Sequence, residues 1–103
     1  VLSPTARSLK KLRDEGWKPW VVEVFNHFTK KRKDLFNVAD IIAYKDNEIL
    51  LVQATSASNV SARVKKIAES EHIDGLREAG FQIEVWGWRK SGNKWVCRQV
   101  DCS

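Results

Sequence analysis

Two apolar runs stand back to back in this chain, VADIIAY at 38–44 and EILLVQAT at 48–55, with only Lys45, Asp46 and Asn47 between them. Neither run has a helical period, both are rich in β-branched residues, and the interruption is made of turn formers, so the segment predicts a β-hairpin. With Asp46 and Asn47 as the turn, Lys45 faces Glu48 and Asp40 falls directly opposite Gln53. A symmetric four-residue loop keeps that register, whereas a three-residue loop shifts it by one. Opposed residues share a face. One face then carries Asp40, Ile42, Tyr44, Ile49, Leu51 and Gln53, the other Ala39, Ile41, Ala43, Leu50, Val52 and Ala54. Two apolar faces predict a hairpin in the middle of a sheet that is covered on both sides.

The anomaly is the pair of polar residues at the open end. Burying an unpaired carboxylate is expensive, so Asp40 needs a partner. Asp40 and Gln53 either hydrogen-bond each other or cap nearby backbone, or they hold a divalent cation between them. Mg²⁺ suits the second arrangement, because it takes few protein oxygens and fills its remaining positions with water and phosphate.

Around this hairpin the chain reads as a helix at 3–15, with Ser3 as cap, Pro4 in the first turn, Gly16 after the last, and Ala6, Leu9 and Leu12 as an apolar stripe. WKPWVVEVF predicts a strand from about Trp20 to Phe25. Residues 26–37, NHFTKKRKDLFN, have neither period and read as a long polar connection. Val60, Val64 and Ile67 mark a helix beginning near Ser58, and a shorter helix runs from about Glu71 to Ala79. FQIEVWGW and KWVCRQV close the chain as strands joined at SGN. The order α-β-β-β-α-α-β-β predicts an α/β fold in a single domain, 1–103, with a mixed five-stranded sheet and helices on both faces.

The 103 residues carry 18 Lys and Arg against 13 Asp and Glu, a net charge of +5 that favours a polyanionic partner. No apolar run approaches a membrane span, and no signal-peptide pattern opens the chain, which begins at Val1 rather than methionine. Cys97 and Cys102 are too few for a disulfide scaffold or a structural zinc site and lie far in sequence from His27 and His72, which favours free thiols in a reducing cytoplasm. Dinucleotide, P-loop and serine-hydrolase signatures are absent, and no small-molecule cofactor is expected.

Asp40, followed by Gln53-Ala54-Thr55 at the end of the next strand, resembles the PD-(D/E)XK nuclease superfamily, in particular its small Holliday-junction-resolvase-like branch. The order of elements fits that core over most of the chain. The resemblance implies a restriction-endonuclease-like three-layer core and a Mg²⁺- or Mn²⁺-dependent DNA endonuclease, structure-selective or nonspecific, acting as a homodimer on branched DNA. By position, Asp40 is implied as the metal-ligating acid, Gln53 as the second ligand and the Ala54 carbonyl as a third. Glu23 is a further acid of the site or an edge salt bridge, and Asp34 a weaker extra acid that the basic residues around it could pair. The departure is Thr55, which stands where the family has a lysine. Either another cation reaches the site, with Lys66, Lys65 and Arg63 nearest in sequence, or catalysis is impaired.

Lys30, Lys31, Arg32 and Lys33 form a basic run just before the Asp40 strand, with Arg63, and with Arg89 and Lys90 at the last turn, as further candidate phosphate contacts. Trp86, Trp88 and Trp95 either stack unpaired bases or pack a core or dimer contact. Three functions stay open: a nuclease, a nucleic-acid-binding module on the same fold without catalysis, and an interaction domain whose basic surface only solubilises it.

Overall fold

The computed structural model describes residues 2–103. Helix α1 (Pro4–Asp14) leads into β1 (Lys18–Val21), β2 (Val24–Asn26), β3 (Lys31–Lys33), β4 (Ile41–Lys45) and β5 (Glu48–Ser56). A 3₁₀ turn at Ala57–Asn59 then enters α2 (Val60–Ala68) and α3 (Ile73–Glu78), and β6 (Gln82–Ser91) and β7 (Lys94–Asp101) finish the chain. The expected caps form. The Ser3 hydroxyl accepts the Ala6 N–H at 3.1 Å, and Gly16 takes the left-handed conformation, φ 90°, that ends α1.

Five strands form one sheet in the order β1-β4-β5-β6-β7, antiparallel except for the parallel β5–β6 pair that α2 and α3 connect. β5 is central, and Leu50 to Thr55 are all buried, as expected of a strand covered on both faces. Leu12 of α1 packs with Ile41, Ala43, Leu50, Val52, Ala54 and Trp86 on one face. On the other, α2 and α3 bring Val60, Ile67, Ile73 and Leu76 against Leu51, Ile83 and Val85. The three-layer α/β sandwich with a mixed five-stranded sheet is therefore the fold the chain adopts. Gly87 sets the distance between α2 and the sheet: a Cβ there would stand 2.2 Å from Val60 Cγ2 and 3.1 Å from Ala57 Cα.

The hairpin register is the expected one, with Ile41 opposite Val52 and Lys45 opposite Glu48. Its two faces are not equally covered, however. Beyond the reach of α2 and α3, Tyr44 and Ile49 lie on an open strip of sheet with Trp20, which is 74% exposed.

The expected strand from Trp20 to Phe25 is broken in two. β1 pairs with β4 only as far as Val21–Ile41, and the last bond is Val22 N–H to the Asp40 carbonyl at 2.9 Å. Past Asp40 the neighbouring chain closes on itself through the Leu35–Ala39 bridge, so β1 runs out of partner. The chain restarts as β2, which pairs with β3 in a separate two-stranded ribbon. The expected polar connection therefore contains a ribbon, and the basic run becomes its second strand.

Candidate active site

The polar residues of the β4–β5 hairpin open onto a cleft of about 1110 Å³ at the carboxyl end of β5. Asp40 lies at its floor, 3% exposed, and its Oδ1 accepts the Ala54 N–H at 3.1 Å. That bond explains why β4 begins only at Ile41: the side chain takes the backbone donor that a further strand residue would have used. Both polar groups of a strand residue face the same neighbour, so the Ala54 carbonyl points to the Asp40 side as well. Of the two bonding schemes expected, backbone capping is the one that forms; no hydrogen bond joins Asp40 to Gln53 among the described residues.

Gln53, 2% exposed, instead accepts a bond from Lys66 Nζ at 3.2 Å through its Oε1. The same ammonium is paired with Asp34 Oδ2. Lys66 stands two turns into α2, whose close seat over Gly87 allows it to reach across to β5. Asp34 is thus tied to a lysine far along the chain and not to its basic neighbours. Glu23 lines the cleft and forms an ion pair with Arg32 at 3.1 Å.

Burial pushes the Asp40 carboxyl up to about 6, with the Ala54 N–H working against the rise and the negative charges of Asp34 and Glu23 adding to it. Asp40 therefore sits within reach of two other acids, each paired with a cation, while among the described residues Asp40 itself has no such partner.

The other expected residues divide cleanly. Thr55, Arg63, Arg32 and Lys33 line the cleft; Lys30, Lys31, Arg89 and Lys90 do not, the first two lying at the far end of the ribbon and the others at the outer end of the β6–β7 hairpin. Trp86 is buried against α1, and Trp88 Nε1 donates to Ser8 Oγ at 2.9 Å, so these indoles pack the core. Cys97 lies on that same α1 face, and burial pushes its thiol up to about 11, leaving it protonated at neutral pH.

Several lining residues had no signal in the pattern. Phe36 and His72 meet at the mouth with ring centroids 4.9 Å apart and planes tilted by 51°, Phe36 in a left-handed conformation with φ 55° and followed by Asn37 at 57°. Ser56 and Asn59, joined at 3.2 Å, line the wall where the 3₁₀ turn begins. The residue type most open to being spotted was Asn59, a polar residue ahead of α2.

Among the described residues no three His, Cys, Asp or Glu side chains form a metal-binding group. A divalent ion here would rest on one carboxylate, the Gln53 amide oxygen and the Ala54 carbonyl. Such a set is all oxygen, and among the described residues Asp40 makes no protein hydrogen bond through Oδ2, so the donors fit a hard cation that keeps much of its water. Gln53 Oε1 has a second lone pair beside the one Lys66 uses.

No protein-family model matches the chain, and no curated protein matches it in sequence. Among solved structures, a Holliday junction resolvase, Hjc, from the archaeal hyperthermophile Archaeoglobus fulgidus aligns over 96% of this chain and 86% of its own, with a TM-score of 0.54 at 14% identity. The two share a fold. At that identity the likeness speaks for the arrangement of helices and strands, and the roles of single residues rest on the cleft itself. No helix of the described residues is long and apolar enough to cross a membrane.

Proposed function

We propose that the chain is a metal-dependent DNA endonuclease with a resolvase-like preference for branched substrates. The observation that carries this reading is Lys66. Thr55 leaves the site without the family's lysine, and Lys66 brings an ammonium to the Gln53 amide from α2 instead. An acid, an amide, a backbone carbonyl and a cation then converge at the end of two strands, which is the set that phosphodiester hydrolysis needs.

A Mg²⁺ or Mn²⁺ ion held by Asp40, Gln53 and the Ala54 carbonyl would polarise the phosphate and lower the pKa of a bound water. Lys66 steadies the negative charge that gathers on the phosphoryl oxygens as water adds to phosphorus and one P–O bond breaks. Asp34 holds the Lys66 ammonium in place beside β5. Arg63, Arg32 and Lys33 draw the DNA backbone into the cleft without reading bases. Glu23 fixes Arg32 at the rim. The neutral amide of Gln53 contributes less charge than a carboxylate, so metal affinity leans on Asp40 and on substrate phosphate.

The reading extends to a homodimer, supported by the open strip of Trp20, Tyr44 and Ile49. Sedimentation that gives a monomer at all concentrations would remove that part. Cys97 and Cys102 are free thiols, the state expected in a reducing cytoplasm.

The test exchanges the cation's origin. Lys66→Ala is expected to lower Mg²⁺-dependent cleavage of labelled DNA by roughly 10²-fold or more. Thr55→Lys in that background should restore part of it. Cleavage indifferent to Lys66 would refute the assignment.

A further inference from the structure

The ribbon made by β2 and β3 does nothing for the core, since all six of its strand residues are exposed. A lone two-stranded ribbon is marginal in water, yet this one is carefully closed. The Asn26 side chain accepts the N–H groups of Phe28 at 2.9 Å and Thr29 at 3.2 Å, and Lys30 N–H returns to the Asn26 carbonyl at 2.9 Å. Lys30 takes the left-handed conformation, φ 59°, that completes the turn. What this turn holds out is the ring of Phe28, 98% exposed. The chain behind it is Lys30, Lys31, Arg32 and Lys33, and its base is strapped to the cleft by the Arg32–Glu23 ion pair.

We propose that Phe28 is a wedge that enters the base stack of DNA at a branch or other weakened step, with Lys30, Lys31 and Lys33 on the flanking phosphates. The choice of DNA as partner rests on the nuclease reading, and the charge of the ribbon agrees with it. An apolar ring on a protein loop enters a duplex only by unstacking a base step. At a four-way junction or flap that unstacking is already done, so a ring of this kind favours branched over continuous DNA. The lysines act on any phosphate and so raise affinity for both alike. Affinity and discrimination are thereby divided between different residues of one ribbon. Three rungs at about 3.4 Å each, plus the turn, put the ring roughly 10–15 Å from the cleft rim. That corresponds to about three or four base steps along a duplex at 3.4 Å per step.

Phe28 can be changed without touching the fold, because its side chain packs on nothing and the turn is held by Asn26. Binding is measured by anisotropy in chelator, where no cleavage occurs, with a four-way junction and a continuous duplex of the same sequence, each carrying 2-aminopurine. Phe28→Ala is expected to lose about tenfold in affinity for the junction, within the range of base–aromatic stacking, and little for the duplex. The change in 2-aminopurine emission that binding produces at the branch should vanish with it, while Phe28→Leu keeps most of the affinity. Lys31→Gln should weaken both substrates equally and lower the salt slope by about one. Equal loss on junction and duplex, or no loss, overturns the wedge, as does Phe28-dependent binding to phosphatidylserine vesicles without DNA binding. A parent that never cleaves in Mg²⁺ but keeps the Phe28-dependent preference would sink the nuclease reading and leave the wedge standing. Cleavage with no Phe28 effect would do the reverse.

Discussion

Replacing Asp40 with asparagine should make this protein more stable at neutral pH. The carboxyl is held at about 6 in the fold against 3.8 for an ordinary aspartate, chiefly because it is buried. A rise of about two pH units, at 1.36 kcal/mol each, corresponds to about 3 kcal/mol. The sign follows from proton binding. Between pH 4 and 6 the folded state holds a proton on Asp40 that the unfolded chain has released, so stability falls as pH rises through that window. Above about 6 the whole penalty is present, and below about 4 none is. Asparagine keeps an oxygen for the Ala54 N–H and carries no charge, so it escapes the penalty at every pH. Urea unfolding of parent and Asp40→Asn at a series of pH values isolates this one group, because all other titrations cancel in the difference. The variant should gain up to about 3 kcal/mol at pH 7.5, a midpoint shift of roughly 1–3 M, and nothing at pH 4. Magnesium should stabilise only the parent, because it favours the ionised form. A variant that is less stable at pH 7.5, or a difference that does not change with pH, would show that Asp40 is not a destabilising buried charge.

Other perturbations follow from the same geometry. Lys66→Met leaves Asp34, whose side chain is only 9% exposed, without its cation, and should cost about 2 kcal/mol in urea unfolding. The double variant with Asp34→Asn should recover most of that loss. Gly87→Ala drives a methyl into Val60 and should cost about 1–3 kcal/mol, read as a lower thermal midpoint. Because the same shift moves α2, and Lys66 with it, cleavage should fall by more than the stability loss explains.

The parts of this molecule that were legible in its sequence are those governed by local pattern. The register of β4 on β5 follows from a turn at Asp46 and two alternating runs, and it places Asp40 at the hairpin's open end before any other contact is considered. Helix α1 announces itself through Ser3 and Gly16. The ribbon was not legible, because NHFTKKRK neither alternates nor buries anything; it forms because β1 outlives its partner at Asp40 and the chain needs a new one. Nor was the pairing of Lys66 with Asp34 and Gln53, which joins residues 32 and 13 positions apart. Sequence offered Lys66 only as one of three cations on a helix. Which of them reaches Gln53 depends on how α2 is turned as Val60, Val64 and Ile67 pack on the sheet, and that is a tertiary matter. The tilted contact of Phe36 with His72 belongs to the same class, since it requires a left-handed bulky residue that no propensity favours.

Whether Asp40 anchors the proposed metal-dependent phosphodiesterase site can be read directly from cleavage. Purified parent and Asp40→Asn are incubated with end-labelled four-way, flapped and linear DNA in Mg²⁺ or Mn²⁺, with and without chelator, at pH 7.5, where both are folded. Cleavage by the parent that chelator abolishes and the variant lacks is the expected result. Equal cleavage by the two proteins, or none by the parent on any substrate with either metal, would contradict it.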